Sequence, residues 1–441
     1  MKIKVLFQLC LFSFCFIPFL SSQNSTKYFR KFTIDSRFCN VELKCPVENL
    51  LSGKISCYLA SYDTKGRIQT VTFLDKGKPA IDFTGFTKFI IEYSDSTEKR
   101  TFFNKFDKPT VNRDGIYSYS LKLNKTNYPV QLINYDQSGE ISTDKNGVSI
   151  YQYTLDGLNR VVKVHFLNKK SDSIVNLKGY FYMTYDWKED ELSYIVELSY
   201  FDKSGRLKED TNGIAVCRSS YDKISKELIG QSYYGADRKM KESKQLKVAK
   251  FIAKYDSNGY ETERRFYGTD GKLKETNQGF SIIRQKYNAF GKVIEKRFYG
   301  NDAKLIGKKN IGYIKYGFSI IKYEYDDSAN ITKVSYYGYD ENLKNDNSGV
   351  AIRVYKYDDR NRKTEESLYD VHNQLLVTGV CMVNWKYDEF DNVVEESHWG
   401  ADNQLIESEN RIAIIRWLYN VEGNATHTRY FDSKGNLISE N

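Results

Sequence analysis

Few residues in this chain are able to do chemistry, and they are scattered. It has only four histidines, His165, His372, His398 and His427. No two have the spacing that would bring imidazoles together on a metal or beside a nucleophile. His398 occupies an aromatic position of the repeat described below, which gives it a structural reading. Two pairs of adjacent acids, Glu365 with Glu366 and Glu395 with Glu396, could suggest the carboxylates of a glycosidase. Neighbouring side chains on a strand point to opposite faces, so neither pair can act on one bond. Solvated strand charges are the better reading. Asp256, Asp270 and Asp340 sit in turn-like segments without the spacing of a calcium-binding loop, and are expected to hold turns. Hydrolase, zincin, phosphate-loop and dinucleotide signatures do not occur. The sequence therefore predicts no catalytic residues, no metal ligands and no cofactor.

The densest charge cluster is Arg238, Lys239, Lys241, Lys244, Lys247 and Lys250, interrupted only by Glu242. It is a candidate site for an anionic polymer, such as an acidic glycan, or for a lipid headgroup. The plainer reading, a solvated lysine-rich face, is preferred. Over the whole chain 66 basic residues stand against 57 acidic ones, mostly interspersed, so nucleic acid is not an expected partner.

The cysteines bear on the compartment. Cys39, Cys45 and Cys57 crowd the N-terminal region and form a candidate disulfide pool for an oxidising environment. Cys217 and Cys381 lie in apolar runs and read as buried thiols. Residues 1–22 resemble an export signal: Lys2 and Lys4, then an apolar run from Val5 to Leu20, then Ser21 and Ser22. The run is short for a membrane span, which needs about 20 residues. Lipid attachment at Cys10 or Cys15 is the less favoured alternative, because neither has a good small-residue context. After cleavage no transmembrane segment is expected. The destination would be the periplasm, the outer surface or the medium.

Composition points to strands. Of 441 residues, 36 are Tyr and 26 Phe, with four Trp, four Met and five Pro. Aromatic side chains suit a pleated, half-buried surface, and so few prolines leave the backbone donors of a sheet intact. The hydrophobic share of 40% argues against general disorder.

The main signal is a repeat. Tyr-Asp or a near variant recurs at Tyr62, Tyr93, Tyr153, Tyr185, Tyr221, Tyr255, Tyr287, Tyr325, Tyr357, Tyr387 and Tyr419, with Leu123 filling the one gap. This gives about twelve units of some 32 residues, the first five more degenerate. Glycine precedes the anchor by eight residues at Gly85, Gly115, Gly213, Gly279, Gly317, Gly349 and Gly379. An aromatic pair follows it, as in Phe266-Tyr267 and Phe298-Tyr299, then a turn and an apolar residue such as Leu273 or Leu305. Each unit reads as strand, turn, strand, turn. The strand that ends at the anchor should be buried on both faces. The following strand, such as Glu261–Tyr267, should be exposed and carry charges that pair across units. A lipid-facing barrel is excluded, because strand 293–299 places Glu295 and Arg297 on one face and Lys296 on the other.

The expected fold is all-β, a tandem array of antiparallel hairpins forming an elongated or wound meander. The alternative is a β-propeller with two units per blade, although about 64 residues per blade exceeds the usual 40–45. The expected organisation is a signal peptide at 1–22, a cysteine-bearing cap at 23–61 and the repeat array at 62–441.

Tyr255-Asp-Ser-Asn-Gly259, Tyr325-Asp-Asp-Ser328 and Tyr387-Asp-Glu-Phe-Asp391 resemble the tyrosine-aspartate (YD, or RHS-type) repeats. That resemblance implies a wound β-ribbon, which in large toxins of the family forms a shell around a toxic domain. This chain departs from it: its period is near 32 rather than nearer 20, and neither a toxin domain nor a self-cleaving core is recognisable. Tyr200-Phe-Asp-Lys-Ser-Gly-Arg-Leu207 and Tyr430-Phe-Asp-Ser-Lys-Gly-Asn-Leu437 are similar to the aromatic hairpins of choline-binding or cell-wall-binding repeats, without their tryptophan-rich pockets. The functional expectation is an exported, non-enzymatic bacterial repeat protein that binds or scaffolds in the cell envelope, with an unidentified protein or glycan partner. The alternative is a carbohydrate-binding or cell-surface adhesin module that uses its aromatic hairpins.

Overall fold

The repeat is visible in backbone hydrogen bonds. In the unit that begins at Lys250–Tyr255, Asp256 turns the chain back on itself. Its Oδ1 accepts the N–H groups of Asn258 and Tyr260, each at 2.9 Å. Its own N–H reaches the Tyr260 carbonyl at 2.9 Å, and Gly259 takes φ +76°. The fourth turn residue must adopt a left-handed conformation, which explains the glycine or asparagine there. The chain returns as Glu261–Tyr267. A second turn starts at Gly268, where Asp270 accepts the Lys272 N–H at 3.0 Å, and Tyr267 bridges to Leu273. A third turn over Thr276–Phe280, with Gly279 at φ +87°, leads into the next unit. Asp340 holds its turn as Asp270 does, accepting the Asn342 N–H at 3.2 Å.

The computed structural model describes residues 25–35, 40–53, 55–82, 84–189, 193–306, 318–420 and 425–441. These residues form one sheet of 28 antiparallel strands. The order begins at Asn40–Val47, passes through Thr26–Asp35 to Ser56–Tyr62, and then follows the chain to Leu437–Glu440. The short strand Lys78–Pro79 pairs beside the end of Ile68–Asp75. The two ends of the order do not pair among the described residues. The sheet is therefore an open meander, and the propeller alternative is overturned. The segment expected as a cap contributes the outermost two strands, a single-turn helix Asn49–Ser52 and most of the strand Ser56–Tyr62.

The anchor residue has a definite task. In the later units the strands of one hairpin pair over six positions, but successive hairpins pair over only three. The join therefore splays at the Tyr-Asp end, and the anchor hydroxyl crosses the gap. Tyr255 donates to the Leu228 carbonyl at 3.0 Å, Tyr287 to Glu261 at 2.8 Å and Tyr325 to Val293 at 2.7 Å. Tyr357, Tyr387 and Tyr419 do the same to Ile331, Lys363 and Val393. Tyr93 does so to Ile68 at 2.8 Å.

Two anchors are corrected by this geometry. Trp187, not Tyr185, takes the position in its unit, and its Nε1 donates to the Val161 carbonyl at 3.0 Å. Leu155, not Tyr153, precedes the turn held by Asp156. Gly147 and Gly179, both at positive φ, stand eight residues before these two.

Burial differs from expectation. Strands that end at the anchor are buried on one face rather than two, as Phe251 and Ala253 alternate with half-buried neighbours. The returning strand is not simply exposed either, because Glu263 and Glu295 are each only 8% accessible. The main core lies on one side of the sheet, and a smaller cluster of Val47, Ile55, Cys57 and Leu74 lies on the other side at the first strands. Phe89, Phe102 and Phe166 centre the first part of the main core. Aromatic contacts link Phe266 to Phe280 (5.9 Å) and Phe280 to Phe298 (5.1 Å) across successive units in the second.

Candidate binding surfaces

The charges of the returning strands pair across strands, as their sequence suggested. Glu263 faces Lys254 on one neighbour and Arg284 on the other. It contacts Arg284 at 2.6 Å, Arg265 at 2.7 Å and Lys254 at 3.7 Å. Burial alone would raise this carboxyl, but hydrogen bonds from Arg265 and Arg284 outweigh it and hold the pKa at about 2. Glu295 sits between Lys286 and Arg297, and Glu395 between Lys386 and Arg416. The adjacent acids divide between faces, as expected. Glu365 pairs with Lys356, and Glu366 with Arg353 and Lys363. Glu396 accepts from Trp385 at 2.8 Å and from His398 Nε2 at 3.0 Å. The other His398 nitrogen faces the Ile412 carbonyl at 3.0 Å. The hydrogen bond to Glu396 raises the His398 pKa.

The basic cluster does not act as one patch. Arg238 contacts Glu197 at 2.8 Å, and Lys241 holds both oxygens of Glu209 at 2.7 Å. Lys250 is half-buried at the start of a strand. Lys239, Lys244 and Lys247 project into solvent along the turn edge. Of the candidate disulfide pool, Cys39 lies outside the described residues, and Cys45 and Cys57 are free thiols. Cys57 is fully buried, and burial pushes its pKa up to about 11. Residues 1–22 also lie outside the described residues. Among the described residues no three His, Cys, Asp or Glu side chains gather as a metal site would need, and no helix is long and apolar enough to cross a membrane.

Sequence reasoning gave no sign of a seam that joins early strands to later turns. Arg30 donates to the Phe290 carbonyl at 2.6 Å and lies over the Tyr260 ring. Lys31 pairs with Glu227 at 2.8 Å and donates to the Gly259 carbonyl. Further along, Lys76 reaches Asn330 and Lys78 reaches the Arg360 carbonyl at 3.2 Å. Phe290 packs beside Val47, Ile55, Cys57 and Leu74. The sheet is thus wound, and turns of its second circuit rest on strands of its first. A cleft of about 620 Å³ opens at this seam between Arg30, Lys44, Cys45, Lys226 and Tyr260. Contacts between residues 196 to 282 positions apart leave no periodic trace in sequence.

No family model and no curated protein matches the chain. Among solved structures, a crystal structure of TcdB2–TccC3–TEV aligns over 86% of this chain and 23% of its own, at 11% identity and a TM-score of 0.28. A Tc holotoxin pore from Photorhabdus luminescens aligns over 87% of this chain and 25% of its own, at 10% identity and a TM-score of 0.19. The chain therefore spans about a quarter of the length of these structures.

Proposed function

We propose that this chain is a divergent tyrosine-aspartate repeat protein, exported in a bacterium, that serves as a non-enzymatic scaffold of the cell envelope. Its wound sheet would present a long, repetitive surface to a protein or glycan partner. One observation carries the reading: the side chains with chemical potential brace the sheet, unit after unit. Aspartate oxygens are filled by turn N–H groups, tyrosine hydroxyls by carbonyls and glutamates by arginine and lysine. An array of this kind offers extent and repetition rather than a reactive centre.

Fractionation of the native cell, followed by proteolysis of intact cells, tests the proposal. Cleavage by a non-permeant protease would place the surface where an external partner meets it. A protected soluble pool in the periplasm would support an internal envelope scaffold. A cytosolic pool would refute export. A hydrolytic activity that survives purification and disappears with one Asp or Glu substitution would refute the non-enzymatic reading. The polyanion reading of the basic cluster narrows to Lys239, Lys244 and Lys247, the members facing solvent. Retention on a heparin column, abolished by changing these three to Gln, would support it.

A further inference from the structure

A cavity of about 280 Å³ opens on the first circuit of the sheet, between the strands Ser118–Leu123, Pro129–Tyr135 and Ile150–Leu155 and the turns beside them. Its apolar surface comes from the rings of Tyr119, Tyr151 and Tyr153, with Leu132, Ile116 and Met183. Its polar surface comes from three amides, Asn112, Asn134 and Asn146, and two carboxylates, Asp114 and Asp144. No lysine, arginine or histidine lines it.

The carboxylates are already engaged. Asp144 is 8% accessible. Its Oδ1 takes the N–H groups of Asn146 at 2.8 Å and Val148 at 3.0 Å, and its Oδ2 takes the Tyr151 hydroxyl. Asp114 pairs with Lys145 at 2.6 Å. Asn134 is different. It is 4% accessible, its amide N–H goes to the Val148 carbonyl at 3.1 Å, and its amide oxygen has no protein partner among the described residues. That oxygen is not sealed from solvent: it keeps accessible surface at the cavity wall, where a ligand hydroxyl can donate to it.

We propose that this cavity binds one ring of a neutral sugar. The volume is just below the usual range for small-ligand pockets, about 300–1,000 Å³, and suits a single pyranose. Hydroxyl groups can both donate to and accept from amides, and the C–H face of a pyranose packs against tyrosine rings. An anionic ligand would meet two carboxylates and no cation. A cationic ligand would find both carboxylates already partnered. The proposal goes beyond the envelope-scaffold reading and does not depend on where the chain is exported.

Saturation-transfer NMR on the purified chain tests it, with the methyl glycosides of glucose, galactose and mannose as probes. At least one should receive saturation, strongest on the protons of one ring face. Asn134→Leu removes the amide, and Met183→Trp fills the space from a half-buried position. Each should weaken the signal-derived affinity by about ten-fold or more while the unfolding midpoint shows the chain folded. If Asn134→Leu fails to fold, Met183→Trp decides alone. Absence of transfer to all three glycosides would overturn the proposal, as would transfer undiminished by Met183→Trp. Glucuronate or choline binding at least as tightly as the hexosides would also overturn it.

Discussion

At the level of single residues, the Tyr-Asp pair works as two devices on opposite sides of a join. The aspartate closes its own hairpin, and the tyrosine hydroxyl fastens that hairpin to the one before. Tyr325→Phe removes only the donor to the Val293 carbonyl. It should lower unfolding free energy by about 0.5–1.5 kcal/mol in chemical denaturation, with the fold retained. In the units anchored by Leu123 and Leu155 an apolar side chain packed against the core takes the position instead. The motif itself was legible in sequence. Two anchors were misplaced because those strands hold several aromatics, and Tyr185 is followed by Asp186 in mid-strand. The glycine eight residues upstream marks these two units where the tyrosine does not, since positive φ at that turn favours glycine, although Lys247 and Arg411 take the position in other units. Applied throughout, it would have selected Leu155 and Trp187.

At the level of strands, the charged ladders and the tyrosine ladder respond to opposite ends of the pH scale. Glu263, Glu295 and Glu395 have folded pKa values below the ordinary carboxylate value. Their contribution to stability is complete above about pH 4.5 and is lost as pH falls, for Glu263 through about 2. Burial raises Tyr255, Tyr287, Tyr325 and Tyr357 to about 12. Their contribution is complete below about pH 10 and is lost as pH rises through 12. Thermal melts across pH should therefore give a plateau with losses at both ends. Glu263→Gln should flatten the acid limb and leave the alkaline limb in place. Cross-strand pairing was predictable from the alternation of acids and bases. The near-complete burial of Glu263 was not, because a strand of Glu and Arg has no apolar face to announce it.

For the whole molecule, winding matters more than strand count. Gly291 lies where the second circuit meets the first, so close that an added Cβ would collide with Tyr260 and Arg30. Gly271 has the same φ of +73° and open space around it. Gly271→Ala should therefore cost only backbone strain, about 1 kcal/mol. Gly291→Ala should cost more, and hydrogen exchange should rise in residues 28–32 and 43–47 while the units after Arg360 stay protected. Equal effects for the two substitutions would contradict a closed seam. Phe290→Ala should loosen the same strands by about 1–3 kcal/mol through lost apolar burial. All-β architecture and open hairpin repetition were readable from periodicity. The seam was not, because its partners are set by how many hairpins complete one circuit.

That dependence limits how such a gene can grow or shrink. Adding or deleting one unit between Lys78 and Glu227 would bring every later turn to a different partner on the first circuit, so Lys31 would lose Glu227 and the apolar seat of Phe290 would receive another tip. The same event beyond Arg360 would leave all those contacts in register. Duplications should accordingly be tolerated toward the C-terminal side and selected against in the first circuit, and lineages should vary in length from one end.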